Sequence, residues 1–219
     1  MPTIEKMDEF FASRIDTYEE HMLKEVEGCR EGYRKMAELL PKEISYLLDL
    51  GCGTGLELDA ILSRIPDVAV TAIDLSGTML ARMKSKHPEA AICPLRADFA
   101  KINLSRVPFY GAAVSFESMH HLTAEEKLPL YEAIHTSLRP GGIYIECDYM
   151  AKDEDEATRL LQTAAAARAE AGIPEGERCH LDIPCTKERQ RELLLAAGFA
   201  EVDEVFSEGQ TVMLLAKKA

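Results

Sequence analysis

The sequence has no run of ~18 apolar residues, the length a helix needs to cross a bilayer, so no membrane partner is expected. Residues Met1 to Phe11 lack a basic start followed by an apolar core, so no secretory signal is read there. Positive charge is scarce: 25 Lys and Arg stand against 38 Asp and Glu, giving a formal net charge of −13. Nucleic-acid binders carry a basic footprint, so DNA and RNA are poor partners. The six cysteines (Cys29, Cys52, Cys93, Cys147, Cys179 and Cys185) form no C-x-x-C pair. A disulfide framework is out of place in such a pattern, so reduced thiols and a cytoplasmic location are expected. Cys179, His180 and Cys185 have the wrong spacing for known zinc pairs, so no metal is expected.

What is present starts at residue 47. Leu47-Leu48-Asp49-Leu50 is a leucine-rich run that reads as a strand buried on both faces. It ends in Gly51-Cys52-Gly53-Thr54-Gly55, three glycines at alternate positions. Leu56, Leu58, Ile61, Leu62 and Ile65 follow at helical spacing. The glycines therefore occupy a strand-to-helix turn, where the backbone can take positive φ and approach a ligand. The helix N-terminus adds free N–H groups and a positive dipole end.

The rest of the chain alternates strand and helix. Residues 1–40 read as two or three helices, with Phe10, Phe11, Ile15, Tyr18, Met22, Val26 and Cys29 on an apolar face. Strands are expected at 68–73, 90–95, 111–116 and 143–147, and helices begin after Ser76, Thr123 and Asp153. Arg139-Pro140-Gly141-Gly142 reads as a turn, and 172–184 as a loop. Thr186 opens a helix that Gly198 closes, and two strands, 202–206 and 211–216, end the chain. Repeated strand–helix units give parallel sheets covered on both faces. The short last connection demands a hairpin. The expected fold is thus α/β: a three-layer, doubly wound, mostly parallel seven-stranded sheet ending in an antiparallel hairpin, with an N-terminal helical extension. Residues 1–41 are expected to form a helical cap and 42–219 the main domain. Within it, 151–185 would be a cap or substrate gate.

The glycine pattern is G-x-G-x-G, with Asp49 two residues ahead of it. Dinucleotide oxidoreductases use G-x-G-x-x-G, and here the sixth position is Leu56. Together with Asp74 at the end of the second strand, the pattern resembles the first motif of the class I (Rossmann-like) S-adenosylmethionine-dependent methyltransferases. The resemblance covers roughly residues 44–150. It implies S-adenosyl-L-methionine as cofactor, held by Asp49, Gly51, Cys52, Gly53, Gly55, Asp74, Leu75, Met79, Asp98, Phe99 and Glu117. Asp74 would accept the ribose hydroxyls and Asp98 the adenine amino group. Ser118-Met119-His120-His121-Leu122 resembles a His-His-Leu pattern of the small-molecule members, and makes His120 and His121, with Tyr18, the catalytic candidates. His21, Asp148, Tyr149 and His180, with Asp182 beside it, are candidates for contacting a small-molecule substrate. Homodimerisation stays open, as do three other readings: a cofactor-binding module without turnover, a tRNA-modifying enzyme and a nicotinamide oxidoreductase.

Overall fold

A computed structural model describes residues 4–104, 110–174 and 176–219. Expectations that touch residues 1–3 and Glu175 lie outside the described residues. The sheet begins with β1 (Tyr46–Leu50), which leads through the glycine turn into α4 (Leu56–Arg64). Next come β2 (Ala69–Asp74), α5 (Gly77–Lys86), β3 (Ile92–Arg96) and β4 (Tyr110–Phe116). A 3-10 turn, Met119–His121, precedes α6 (Ala124–Ser137) and β5 (Leu138–Tyr149). The chain closes with α7 (Glu154–Glu170), α8 (Lys187–Ala196), β6 (Glu201–Glu208) and β7 (Thr211–Lys217).

The strand order is β3-β2-β1-β4-β5-β7-β6. The first five are parallel, and β7 runs antiparallel between β5 and β6. The order reverses beside β1, so the carboxyl ends of β1 and β4 border the crevice where such sheets bind ligands. Both faces of the sheet are buried. Leu47, Ala112 and Ile145 pack with Met36 and Leu40 of the N-terminal segment and with Ile61 of α4. Leu48, Ala113 and Tyr144 face α6 and α8 through Tyr131, Ile134 and Leu194.

One expected boundary is corrected. Arg139–Gly142 is not a separate turn: β5 starts at Leu138 and absorbs it. The register jumps from Tyr110↔Leu138 to Ala112↔Ile143, and Gly141 takes φ 73° there. The extra residues are thus carried as a bulge, which needs no chain reversal.

Three helices precede the sheet: α1 (Met7–Ser13), α2 (Tyr18–Lys24) and α3 (Cys29–Leu39). The segment between α7 and α8 straps α1 to the 3-10 turn. Met7 N donates to Arg178 O (3.0 Å) and His180 N to Glu5 O (3.2 Å). Farther along, Ile183 N donates to His120 O (2.8 Å).

Candidate functional site

The turn after β1 holds Gly51, Gly53 and Gly55 at φ 73°, 48° and 74°, a region that side chains with a Cβ rarely occupy. Their surroundings differ. A Cβ on Gly51 would lie 2.5 Å from Ser118 Cβ, so β4's loop could not approach. A Cβ on Gly55 would lie 2.7 Å from Met83 Cγ. Gly55 thus serves the packing of α4 on α5. Gly51 and Gly53 border a cavity, and Gly55 does not.

Asp74 ties this turn to the second strand. Its Oδ2 accepts from Gly53 N (2.9 Å) and its Oδ1 from Ser76 N (2.7 Å). Ser76 caps α5 by accepting from Met79 N. The first cavity, about 70 Å³, is lined by Gly51, Gly53, Asp74, Leu75, Met79, Asp98, Phe99 and Glu117. Met7, Asp8 and Phe11 of α1 and Tyr18 of α2 close it down. Asp98 is already engaged: its Oδ2 accepts from Arg178 Nε at 2.9 Å, and Arg178 NH1 also reaches Glu126 at 2.7 Å. Sequence reading missed Arg178, because 80 residues separate it from Asp98.

Two of the expected cofactor residues lie deeper than the cavity walls. Asp49 and Cys52 are buried beneath the turn and line neither cavity. Asp49 matters in another way. Both its carboxylate oxygens, with Glu57 Oε1 and Thr54 Oγ1, are buried. Burial, with the nearby Asp74 charge, raises Asp49 to about 7. Burial and the Asp49 charge push Glu57 well above the usual carboxylate range. Asp49 and Glu57 hydrogen-bond each other beneath the glycine turn, and a cationic group beside them would let both ionise.

A second cavity of about 1110 Å³ adjoins the first. Tyr18, Phe11, Glu117 and His121 border both. His21, His120, Tyr149, His180 and Asp182 line only the second. His180 stacks on Phe10 at 3.5 Å between ring centroids. Phe10 and Phe11 read from the sequence as plain helix core; here they are cavity wall. Glu117 is the one non-glycine with positive φ (46°) among the described residues. Such strain collects at functional sites, and here it aims the carboxylate between the cavities, with Thr211 Oγ1 donating to it at 3.2 Å.

Asp148 reaches neither cavity, a correction to its expected substrate contact. It stands behind His120, whose Nδ1 lies 2.5 Å from Asp148 Oδ1. Burial lowers the His120 pKa, but the Asp148 charge and hydrogen bond, with Glu117 and Asp182, outweigh it and raise His120 to about 9. Burial, then the His120 charge, holds His121 well below the usual histidine value. Tyr18 is pushed well up by burial and by the Glu57 and Asp74 charges, so it stays a neutral phenol. His120, His121 and Asp182 each offer a ligand atom within 4.8 Å of the others, as do Glu117, His120 and Asp148. Cys179 and Cys185 take no part in either group.

Sheet order, glycine turn and paired acids define a class I α/β domain built around a nucleoside cofactor. Residues 47–142 match the family described as a methyltransferase domain. A carboxy-S-adenosyl-L-methionine synthase from Campylobacter concisus is 24% identical over 193 residues, covering 84% of this chain and 81% of its own. Among solved structures, an O-methyltransferase family protein from Burkholderia thailandensis superposes with a TM-score of 0.71 at 15% identity, over 98% of this chain and 63% of its own. Human N-acetylserotonin methyltransferase, solved with its cofactor, gives 0.66 at 18% identity, over 96% of this chain and 56% of its own. The chain thus spans a little over half the length of those two structures. Residues 47–142 thus match a methyltransferase domain, and the chain shares the fold of those methyltransferase structures.

The residues fit S-adenosylmethionine. Leu75, Met79 and Phe99 supply apolar walls beside the Asp74 carboxylate, and the buried Asp49–Glu57 acid pair suits a cofactor that carries an ammonium group. No helix is long and apolar enough to cross a membrane among the described residues.

Proposed function

We propose that the first cavity holds the adenosine of S-adenosylmethionine and that the second holds the small-molecule acceptor of its methyl group. The observation that carries this reading is the shared wall: Tyr18, Glu117 and His121 face both spaces. The bound cofactor supplies a methyl already activated by its sulfonium. The chain's work is then alignment, which alone can contribute ~7–11 kcal/mol. Gly51, Gly53 and Asp74 fix the nucleoside end. Tyr18 packs over Gly53, its hydroxyl 3.4 Å from where a Cβ would stand. His21, Tyr149 and His180 surround the acceptor, and an O–H or N–H acceptor releases its proton into the second cavity, whose wall holds His120, His121 and Asp182. Asp148 acts on the acceptor only through His120, as a positioning residue.

The same reading treats α1 with the 172–185 strap as the cap over both spaces. The cap comes from the chain's own helices, so a homodimer is allowed and not required to close the site. The six free cysteines fit a reducing cytoplasm. The formal charge of −13 favours small acceptors over tRNA.

Incubation with S-adenosylmethionine and fractionated small-molecule pools tests the proposal. S-adenosylhomocysteine should accumulate with a product heavier by one methyl. A cofactor made heavier by a carboxyl group would instead move the assignment toward the chemistry named in the Campylobacter relative. Unchanged cofactor with every pool would leave a binding module.

A further inference from the structure

We propose that His120, His121 and Asp182 bind a divalent first-row transition-metal ion in the wall of the larger cavity, leaving a coordination position open to the acceptor. Asp182 Oδ1 lies 3.5 Å from His120 Nε2 and 3.5 Å from His121 Nδ1. Both gaps exceed an ordinary N–H···O hydrogen bond. Both suit donors around one ion: ligands at ~2.1 Å in tetrahedral array stand roughly 3.4 Å apart. The Leu181 carbonyl oxygen is 3.2 Å from the same His121 nitrogen. In the ion-free chain His121 Nδ1–H donates to that carbonyl, and the ion would take the place of this proton, which moves to Nε2.

The support behind the ligands has the form metal histidines use. His120 presents Nε2 to Asp182 while its Nδ1 is held by buried Asp148 at 2.5 Å. A carboxylate in that place fixes the tautomer and makes the imidazole a better ligand. Ile183 N donates to His120 O at 2.8 Å, so the strap residue next to Asp182 is pinned to the histidine turn. The alternative group of Glu117, His120 and Asp148 is excluded by the same bond, because an ion there would have to break it. Two imidazoles and one carboxylate select zinc, iron, cobalt or nickel over magnesium or calcium.

The ion site stands on its own geometry. Its role toward the acceptor rests on the cavity reading above. A hydroxyl oxygen ligated at the open position becomes more acidic, and its proton passes to water in the cavity. The oxygen lone pair then forms the O–C bond as the C–S bond breaks, its electron pair staying on sulfur. The acceptor is therefore an oxygen nucleophile, a hydroxyl or carboxylic acid.

The test uses the full chain, stripped with a chelator and kept reduced, titrated with cobalt(II). Visible d–d bands should saturate at one equivalent without a thiolate charge-transfer band in the near-ultraviolet. Asp182→Asn, at a side chain 44% exposed, should keep the fold and abolish the bands. Asp148→Asn should weaken binding about 10- to 100-fold. S-adenosylhomocysteine affinity, measured on the same samples, should change less than about threefold in Asp182→Asn, since Asp182 lies outside the first cavity. Absent bands, a thiolate band, or bands unaffected by Asp182→Asn would overturn the ion site while leaving the methyltransferase reading intact. Cobalt binding without S-adenosylhomocysteine binding would uphold the ion and sink the cofactor assignment.

Discussion

His120 Nδ1 and Asp148 Oδ1 stand 2.5 Å apart, and both residues are buried. The pair joins the 3-10 turn after β4 to the end of β5, two strands that meet at the crevice. Removing Asp148 leaves buried His120 with only the more distant carboxylates of Glu117 (3.7 Å) and Asp182 (3.5 Å). Asp148→Ala should cost about 3–5 kcal/mol of stability, read as a lower urea midpoint. Asp148→Asn keeps an acceptor oxygen and should cost less. Equal midpoints for wild type and Asp148→Ala would show that the pair holds nothing in place.

Acidity sets a second prediction. Asp49, Glu117 and Glu146 are raised to about 7, each by burial first. A carboxyl with a raised folded pKa keeps a proton that the unfolded chain has released. Stability from these groups is therefore highest near the unfolded values and falls as pH climbs toward 7. His120, raised to about 9 by its carboxylate neighbours against the effect of burial, contributes stability below about 6.5 that is lost as pH rises through 9. Both effects have one sign, and they outnumber His121, whose depressed pKa works in the opposite direction below about 6.5. The melting temperature of the cofactor-free protein should be several degrees higher at about pH 5.5 than at about pH 8.5. A melting temperature that rises across this interval would contradict the burial of these acids.

Gly55 supplies a third. Its φ of 74° and the 2.7 Å approach of Met83 Cγ to a Cβ position make Gly55→Ala destabilising by about 1–3 kcal/mol. The loss should appear in thermal unfolding without cofactor, because the cause is packing. Unfolding unchanged in the free protein, with weaker S-adenosylhomocysteine binding, would return Gly55 to the cofactor.

Arg178 supplies a fourth. It clamps Asp98 and Glu126 and lines the first cavity, so the strap must yield for an adenine to reach Asp98. Arg178→Met should speed both association and dissociation of S-adenosylhomocysteine in stopped-flow fluorescence or surface-based kinetics. Rates within about twofold of wild type would show that the clamp is not a gate.

These particulars show what the sequence could disclose. The glycine turn, Asp74 and the hairpin were legible because their signals are local: alternate glycines, a strand end, a connection too short for a crossover. The bulge at Gly141 was not, since a Pro-Gly-Gly run reads as reversal unless the neighbouring strand is known to carry it. Arg178 with Asp98, and Asp182 with His120, are meetings made by the strap, and no spacing along the chain announces them. Asp148 was legible as a strand-end acid and misread as a substrate contact, because whether it points into the cavity or behind His120 depends on the turn after β4. Asp49 was legible as part of the motif, but its burial beneath the turn was not.

The most direct measurement is calorimetric titration of S-adenosylhomocysteine into the wild-type protein and into Asp74→Ala, with NADH as the control ligand. The account predicts binding on the order of micromolar for the first ligand alone. It also predicts a loss of at least about tenfold in the variant, because the wild-type carboxylate holds Gly53 and in the proposed placement would accept from the ribose. Folded wild-type protein that takes up no S-adenosylhomocysteine, or an Asp74→Ala protein that binds it equally well, would contradict the placement of the cofactor.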